Sequence, residues 1–301
     1  MITPALQSFI SRHQLPESYL SMAEKWFSPI ISEFGEHYDR DQSIQIIGIN
    51  GCQGSGKSTL ADYLCTQVKL QHGVATVSLS LDDFYLTKAA RTALAHDMHP
   101  LLAVRGVPGT HDIKLAINTV SSLKSGKKTL LTRFDKSTDD RAKVENSVTV
   151  EGPIGLIVLE GWCFGATPEL QGKLAAPVNE LEKQSDPNGV WRHYVNEALA
   201  GDYQSLFNMA DRCVMLKAPS FDRVFQWRLE QEQKLAERLM LNVKDPLPSD
   251  IMGESDVRHF IDYFQRITEH CLTSMPKAVD HLYHLDDNRT ITRYDQLMSN
   301  T

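Results

Sequence analysis

The chain has little of what marks a secreted, membrane or nucleic-acid-binding protein. Its five cysteines show no metal-ligand spacing, and an odd number in 301 residues predicts reduced thiols in a cytosol. No apolar run is long enough to span a membrane, and the N-terminus lacks a signal-peptide pattern. A net charge of −7 argues against a surface that binds nucleic acid. These absences predict a soluble cytoplasmic protein.

The chain also lacks Gly/Ser linkers, low-complexity tracts and internal repeats that would mark a domain boundary. Its 42% hydrophobic content is ample for a large core. We therefore predict one domain over residues 1–301, with an N-terminal helical extension over 1–40. The sequence leaves the oligomeric state open, and a monomer is consistent with it.

Apolar, β-branched runs alternate with segments of helical periodicity, which predicts an α/β fold. A mostly parallel sheet with helices on both faces follows from that alternation, and its site lies at the carboxyl ends of the strands. A further strand is expected over 129–134, and residues 168–188 receive no assignment. The predicted main strands lie near 44–49, 74–80, 154–161, 212–218 and 278–286, the last of which closes the chain.

The stretch GINGCQGSGKSTL, at Gly48–Leu60, places glycines between a buried strand and a helix start. Gly51 through Ser58 matches G-x-x-x-x-G-K-[ST], in which backbone N–H groups cradle phosphates. The lysine of that motif reaches the outer phosphates and the hydroxyl binds Mg²⁺, so ATP and Mg²⁺ are the expected cofactors. The expected nucleotide-binding residues are Gly51, Cys52, Gln53, Gly54, Ser55, Gly56, Lys57, Ser58 and Thr59.

Two strand ends carry acids. The second strand runs into Asp82 and Asp83, and the 154–161 strand ends with Glu160 and Gly161. A carboxylate at such an end can hold Mg²⁺ or take a proton from an attacking hydroxyl. Asp82 and Asp83 also suit a turn or a helix cap, whereas Glu160 needs a partner because it follows a buried strand.

Basic residues in the following loops suit an anion pocket or a solvated face. Arg105 and His111 lie in a glycine-rich loop, and Arg133, Lys136 and Arg141 lie in a charged one. Arginines on a helix can also close over transferring phosphoryl oxygens, as in many kinases. The lid-like segment over about 219–245 has three candidates for that role, namely Arg223, Arg228 and Arg238.

With these residues and motifs the chain resembles the D-glycerate 3-kinase family, a branch of the P-loop kinases related to phosphoribulokinase, uridine kinase and pantothenate kinase. The resemblance runs from about Gln45 to Arg289 and includes SLDDFYLT, VRGVPGTHD, RFDKSTDDRA, LEGWCFG and VFQWRLEQE. The narrow motifs RG-x-x-G-[ST]-HD, R-[FY]-DKS and WRL-x-x-E carry it. The chain departs at Thr132, where the family often has proline, and over 168–188.

The resemblance implies transfer of the γ-phosphoryl group of ATP to the 3-hydroxyl of D-glycerate. It implies that Asp82 is the general base, that Glu160 and Ser58 join it at the metal, and that Lys57 and Arg228 act on the phosphates. It further implies glycerate contacts, with Arg105 favoured for the carboxylate and Arg133 or Arg141 as alternatives. The implied substrate residues are Asp82, Tyr85, Arg105, His111, Asp112, Arg133 and Lys136.

Three other functions compete with this interpretation. The first is a kinase for another hydroxylated metabolite, such as a nucleoside or pantothenate. The second is a nucleotide-dependent switch or transport ATPase, which the absence of N-K-x-D and L-S-G-G-Q motifs argues against. The third is a binding module without catalysis, which the intact Lys57, Ser58, Asp82 and Glu160 argue against.

Overall fold

The computed structural model describes residues 2–143, 145, 147–242 and 252–297. Within them the prediction of an α/β fold is confirmed. The strands are β1 (Gln45–Gly51), β2 (Thr76–Ser80), β3 (Thr129–Leu131), β4 (Phe134–Asp135), β5 (Asp140–Arg141), β6 (Val148–Val150), β7 (Leu156–Gly161), β8 (Arg212–Lys217), β9 (His281–Leu285) and β10 (Ile291–Gln296). The helices are α1 (Pro4–His13), α2 (Ser18–Asp41), α3 (Lys57–His72), α4 (Lys88–Asp97), α5 (Ile113–Lys124), α6 (Glu180–Ser185), α7 (Val190–Ala200), α8 (Asp202–Phe207), α9 (Phe221–Asn242) and α10 (Glu254–Ser274).

The main sheet has the strand order β10-β9-β8-β1-β7-β2 in the described chain. Strands β2, β7, β1, β8 and β9 pair in parallel, and β10 is the antiparallel edge. β1 is buried at every position because β7 and β8 flank it and helices cover both faces. The carboxyl ends of the five parallel strands therefore meet at one edge of the sheet.

Two expectations need correction. β9 does not close the chain, because a tight turn returns it as β10, whose polar residues suit a half-solvated edge. The stretch 129–134 is not one strand. Its ends pair in two separate two-stranded ribbons, β3 with β6 and β4 with β5. In the main sheet, β7 lies between β2 and β1.

The N-terminal helices pack on the phosphate-loop helix α3. Thr3 caps α1, whose first residue is Pro4, a favourable start because that position needs no N–H partner. The ring of Phe9 lies 5.7 Å from that of Tyr63 on α3, and Phe27 of α2 lies 5.9 Å from the same ring. The predicted N-terminal extension thus shares the apolar core of the sheet.

Residues 168–188, which the sequence left unassigned, contain a short 3₁₀ turn and α6. Buried ion pairs hold this segment: Arg266 of α10 meets Glu182 at 2.6 Å, and Arg192 of α7 meets Asp186 at 3.0 Å. A buried charge needs such a partner, which a polar sequence does not reveal in advance. Of the predicted lid, residues 243–245 lie outside the described residues. The helices that are described include none with the length and apolar character of a membrane span.

Candidate active site

A cleft of about 1360 Å³ opens at the carboxyl edge of the sheet. The phosphate loop forms one end, and the segment after β2 with the β4–β5 ribbon forms the other. We call these the phosphate end and the acceptor end. Helices α1, α9 and α10 contribute the remaining wall. The cleft thus collects side chains from nearly the whole length of the chain.

The phosphate end is built mainly of backbone. Gly54 and Gly56 adopt φ values of 79° and 94°, a left-handed conformation that side chains disfavour. The loop turns back on itself through a hydrogen bond from Ser55 N to the Cys52 carbonyl at 3.2 Å. Helix α3 then begins at Lys57, so its unpaired N–H groups and the positive end of its dipole face the cleft. This arrangement suits an anion.

Three functional groups meet at this end, as the motif predicts. Ser58 Oγ donates to Glu160 Oε1 at 2.7 Å, and Lys57 Nζ lies 3.8 Å from Glu160 Oε2. Burial works to lower the pKa of Lys57, but the carboxylates of Glu160 and Asp82 outweigh it and the pKa is raised. Lys57 is therefore held as a cation where phosphate oxygens would lie.

The other loop residues have separate surroundings. Burial raises the pKa of the Cys52 thiol to about 12, partly offset by Lys57, so this cysteine is protonated and inert. Gln53 and Gly54 line the cleft, whereas Ser55 is buried. The Thr59 hydroxyl lies 3.4 Å from His13 Nδ1. Thr59 therefore makes a contact with α1 that its place in the motif does not suggest.

Asp82 is at the centre of the acceptor end. Its Oδ1 accepts from the Tyr85 hydroxyl at 2.7 Å and its Oδ2 from Lys136 Nζ at 2.8 Å. Burial works to raise its pKa, but Lys136, Lys57 and the two hydrogen bonds outweigh this and hold it well below the usual range. Asp82 is consequently ionised throughout the physiological pH range.

Asp83 is placed differently, although it is adjacent. Its carboxylate pairs with Arg133 and accepts from Ser80 N at 3.4 Å, closing a capping box on the short turn after β2. Burial raises its pKa despite Arg133. Asp83 and Arg133 both line the cleft, but the capping box indicates that Asp83 mainly shapes the turn.

Of the predicted substrate residues Arg105 and His111 in the glycine-rich loop, only Arg105 lines the cleft. Arg105 lines the cleft and pairs with Asp139. His111 is 5% exposed, stacks on Tyr85 with ring centroids 4.6 Å apart, and contacts the Tyr203 hydroxyl at 2.6 Å. Burial lowers the pKa of His111 to about 4, so the ring is neutral. It supports Tyr85 from behind and does not line the cleft.

Asp112 and Arg141 also lie outside the cleft lining. Asp112 caps α5 by accepting from Leu115 N at 3.0 Å, and Arg141 Nη2 donates to it at 2.7 Å. Their charges therefore offset each other beside the acceptor end.

Helix α9 brings Arg228 to the cleft, where it pairs with Glu232 and lies 5.5 Å from the Phe260 ring. The first half of α9 is attached to the β9–β10 turn: Trp227 Nε1 donates to the Asp287 carbonyl at 2.8 Å, and Arg289 pairs with Glu230.

The other two arginine candidates of this helix are Arg223 and Arg238. Arg223 meets Asp287 at 2.7 Å. The side chain of Arg238 lies outside what is described.

Several lining residues were not anticipated. Arg12 and His13, at the end of α1, both pair with Asp62 of α3, at 2.9 and 2.8 Å. All three line the cleft beside Ser58. Asp139 is a fourth, in the turn between β4 and β5. Their only signal in the sequence is charge, since no motif joins residues so far apart.

The donor set at the phosphate end fits Mg²⁺. Glu160 Oε2 is buried without a hydrogen-bond partner, and the hydroxyl of Ser58 lies on the other oxygen of the same carboxylate. No cluster of three or more His, Cys, Asp or Glu residues occurs in the described chain. Mg²⁺ does not require one, because it keeps several waters and is bound through one or two carboxylates plus substrate phosphates.

Comparisons with known proteins agree with this geometry. No family model matches the chain. An uncharacterized kinase of Schizosaccharomyces pombe, mug58, is 33% identical over 213 residues, which cover 66% of this chain and 74% of that protein. The chloroplastic D-glycerate 3-kinase of Arabidopsis thaliana is 32% identical over 221 residues, covering 69% of this chain and 45% of the plant protein.

A solved structure gives the same fold. The D-glycerate 3-kinase of Cryptococcus neoformans superposes with a TM-score of 0.72 at 24% identity, over 90% of this chain and 98% of that one. The sheet order, the phosphate loop and these similarities define a P-loop kinase. Within that class the chain belongs to the D-glycerate 3-kinase family, and it is an ATP-dependent kinase.

Proposed function

We propose that the protein transfers the γ-phosphoryl group of ATP to the 3-hydroxyl of D-glycerate, giving 3-phosphoglycerate and ADP. The observation that carries the proposal is the charge balance of the acceptor end. Among the described side chains that line the cleft there, four cations pair with three carboxylates, which leaves one positive charge in excess. The cations are Arg91, Arg105, Arg133 and Lys136, and the carboxylates are Asp82, Asp83 and Asp139.

One excess positive charge suits an acceptor with one carboxylate. Glycerate has almost no apolar area, so its affinity depends on charge-assisted hydrogen bonds, and a guanidinium can grip a carboxylate at two points. Two aromatic residues of the cleft, Trp162 and Phe264, are 4% and 3% exposed and pack edge to face on each other, so neither offers a ring face to a nucleobase. The partly exposed rings of Phe134 and Phe260 already lie beside the guanidinium groups of Arg105 and Arg228.

We further propose the roles of the site residues. Lys57 and Arg228 offset charge on the transferred group, as donors aimed at developing charge do in phosphoryl transfer. Ser58, Glu160 and Asp82 would hold Mg²⁺, which when bound neutralises charge on the β- and γ-phosphates. Asp82 orients the acceptor hydroxyl and takes its proton. A weakly basic carboxylate suffices, because the transition state is loose.

A coupled assay of ADP release tests this function. The panel contains D-glycerate, L-glycerate, nucleosides and pantothenate, each with and without the protein. We expect turnover with D-glycerate and little ADP without an acceptor. Turnover of a nucleoside or pantothenate in place of glycerate would contradict the substrate. Hydrolysis independent of any acceptor would favour a switch or ATPase.

The same assay tests the grip on the carboxylate. Arg105→Ala should weaken use of D-glycerate by about 2–5 kcal/mol, as loss of a charged partner does, and change the KM for ATP little. Arg133→Ala is the matched comparison, because Arg133 also lines the acceptor end and already pairs with Asp83. A mild Arg105→Ala with a severe Arg133→Ala or Arg141→Ala would move the grip to one of those arginines.

A further inference from the structure

We propose that Asp139 is a positioning residue for the acceptor: it holds Arg105 where that guanidinium meets the substrate carboxylate, and buried Arg91 holds Asp139 in turn. The inference rests on the proposed function, because it assigns Arg105 a carboxylate ligand. It adds two residues, from α4 and from the β4–β5 turn, that contribute to acceptor binding through Arg105.

Arg91 is the fixed point of this arrangement. It is 2% exposed, and its guanidinium donates to three carbonyl oxygens: Leu86 at 3.3 Å, Ala103 at 3.0 Å and Asp139 at 2.7 Å. These carbonyls belong to three segments that surround the acceptor end. A buried guanidinium also needs a counter-charge, and the Asp139 carboxylate supplies it at 2.9 Å.

Asp139 is shaped for this contact. It has a φ of 54° in the turn that joins β4 to β5, a left-handed conformation that Asp and Asn tolerate better than most residues. Burial works to raise the pKa of its carboxyl, but hydrogen bonds from Arg91 and Arg105 outweigh it and lower the pKa. The carboxylate therefore stays ionised between the two arginines.

Arg105 is held on one side and free on the other. Its Nη1 donates to Asp139, and its guanidinium lies 5.5 Å from the ring of Phe134. Among the described residues its remaining N–H groups have no hydrogen-bond partner, and the side chain lines the cleft. The free edge is thus available to a carboxylate while the other edge stays on Asp139.

The contacts that anchor Asp139 indicate whether it positions Arg105 for the acceptor or competes with the acceptor carboxylate for Arg105. If Asp139 swung away to release Arg105, buried Arg91 would lose its counter-charge, which is costly. If the carboxylate were removed, the guanidinium groups of Arg91 and Arg105, which share it and lie beside the same Phe134 ring, would repel each other. Both arguments favour an Asp139 that stays in place when the acceptor binds. Its loss should therefore raise the KM for the acceptor.

The test compares Asp139→Asn with Asp140→Asn in the full chain. Asparagine keeps the shape and tolerates the left-handed backbone. Asp140 is the next residue and the first of β5; it accepts from backbone N–H groups of Lys88 and Arg141 and does not line the cleft, so it is the matched control. We expect Asp139→Asn to raise the KM for D-glycerate about tenfold, as for contacting charged groups, with the KM for ATP unchanged. Asp140→Asn should leave both constants near wild type.

A double variant separates positioning from a general structural effect. In an Arg105→Ala background, Asp139→Asn should change the KM for D-glycerate less than about twofold, because the group it positions is gone. Three results would each overturn the inference. The first is a KM for D-glycerate in the double variant that rises by the product of the two single effects; the second is a lowered KM in Asp139→Asn; the third is an equal rise in KM in Asp140→Asn. If Asp139→Asn does not fold, Asp139→Glu keeps the counter-charge of Arg91 and displaces the carboxylate; an unchanged KM there would overturn it.

Failure of the two proposals is distinguishable. A wild-type protein that does not turn over D-glycerate overturns the proposed function, and this inference with it. A wild-type protein that does, combined with an Asp139→Asn variant of unchanged KM, overturns the inference alone.

Discussion

The two ends of the cleft are built on different principles. The phosphate end is built mainly from consecutive residues, Gly51–Ser58, whose backbone forms the loop, and Glu160 of β7 joins them. The acceptor end is assembled from separate segments and consists of paired side chains, such as Lys136 with Asp82 and Arg133 with Asp83. Single changes at the first end should act on phosphates, whereas changes at the second should spread through ion-pair partners.

The largest expected effect tests whether one cation dominates the phosphate end. Lys57→Ala should lower kcat by at least about 10³-fold, because Lys57 is a partly buried cation aimed at developing charge. Lys136→Ala is the comparison at the acceptor end, where the lysine is largely exposed. It should leave the KM for ATP near wild type. Near-normal kcat in a folded Lys57→Ala variant would contradict the assignment of the phosphate loop.

A second experiment separates two adjacent acids. Asp82→Asn should lower kcat by at least about 10²-fold, a typical loss for a general base. Asp83→Asn should act mainly on stability, because Asp83 caps the turn after β2. Because the pKa of Asp82 is lowered in the folded protein, its carboxyl group is ionised at every pH above that lowered pKa. Protonation of Asp82 should therefore cause no loss of rate between about pH 5 and 8. A damaging Asp83→Asn with a mild Asp82→Asn would exchange their roles.

The smallest effect concerns the contact between the phosphate loop and α9. A side-chain carbon on Gly54 would lie 2.9 Å from Trp227 Cβ, so Gly54→Ala adds a clash to the strain of its φ of 79°. We expect the KM for ATP to rise about tenfold, equivalent to about 1.4 kcal/mol of such strain. Gly73→Ala is the control, because its φ is 69° with no atom within 4 Å. An equal KM in both variants would show that α9 does not constrain the loop.

The phosphate end could be predicted from the sequence because it is local. The motif, the preceding strand and the following helix are consecutive, and their positions agree with β1 and α3 within a few residues. The strand β10 was missed because its residues, ITRYDQ, lack an apolar run. The split of 129–134 was missed because pairing with distant β6 and β5 decides it.

The acceptor end could be predicted in its residue types and not in its pairings. Arg105, Arg133 and Lys136 were identified as candidates, but their partner acids follow from tertiary contacts across the cleft. Asp139 is one of several acids in a charged stretch, and nothing local distinguishes it. Arg12 and His13 were missed for the same reason, because they reach the cleft only through the packing of α1 on α3.

The attachment of α9 to the β9–β10 turn has a consequence for the order in which the protein can mature during synthesis. Gly54 is synthesised well before Trp227, on which it packs, and before Asp287, which holds Trp227. The strand before the loop, β1, likewise waits for β7 and β8. Contacts so distant in sequence form late in folding. A nascent chain therefore contains the nucleotide-binding motif long before the nucleotide site can form.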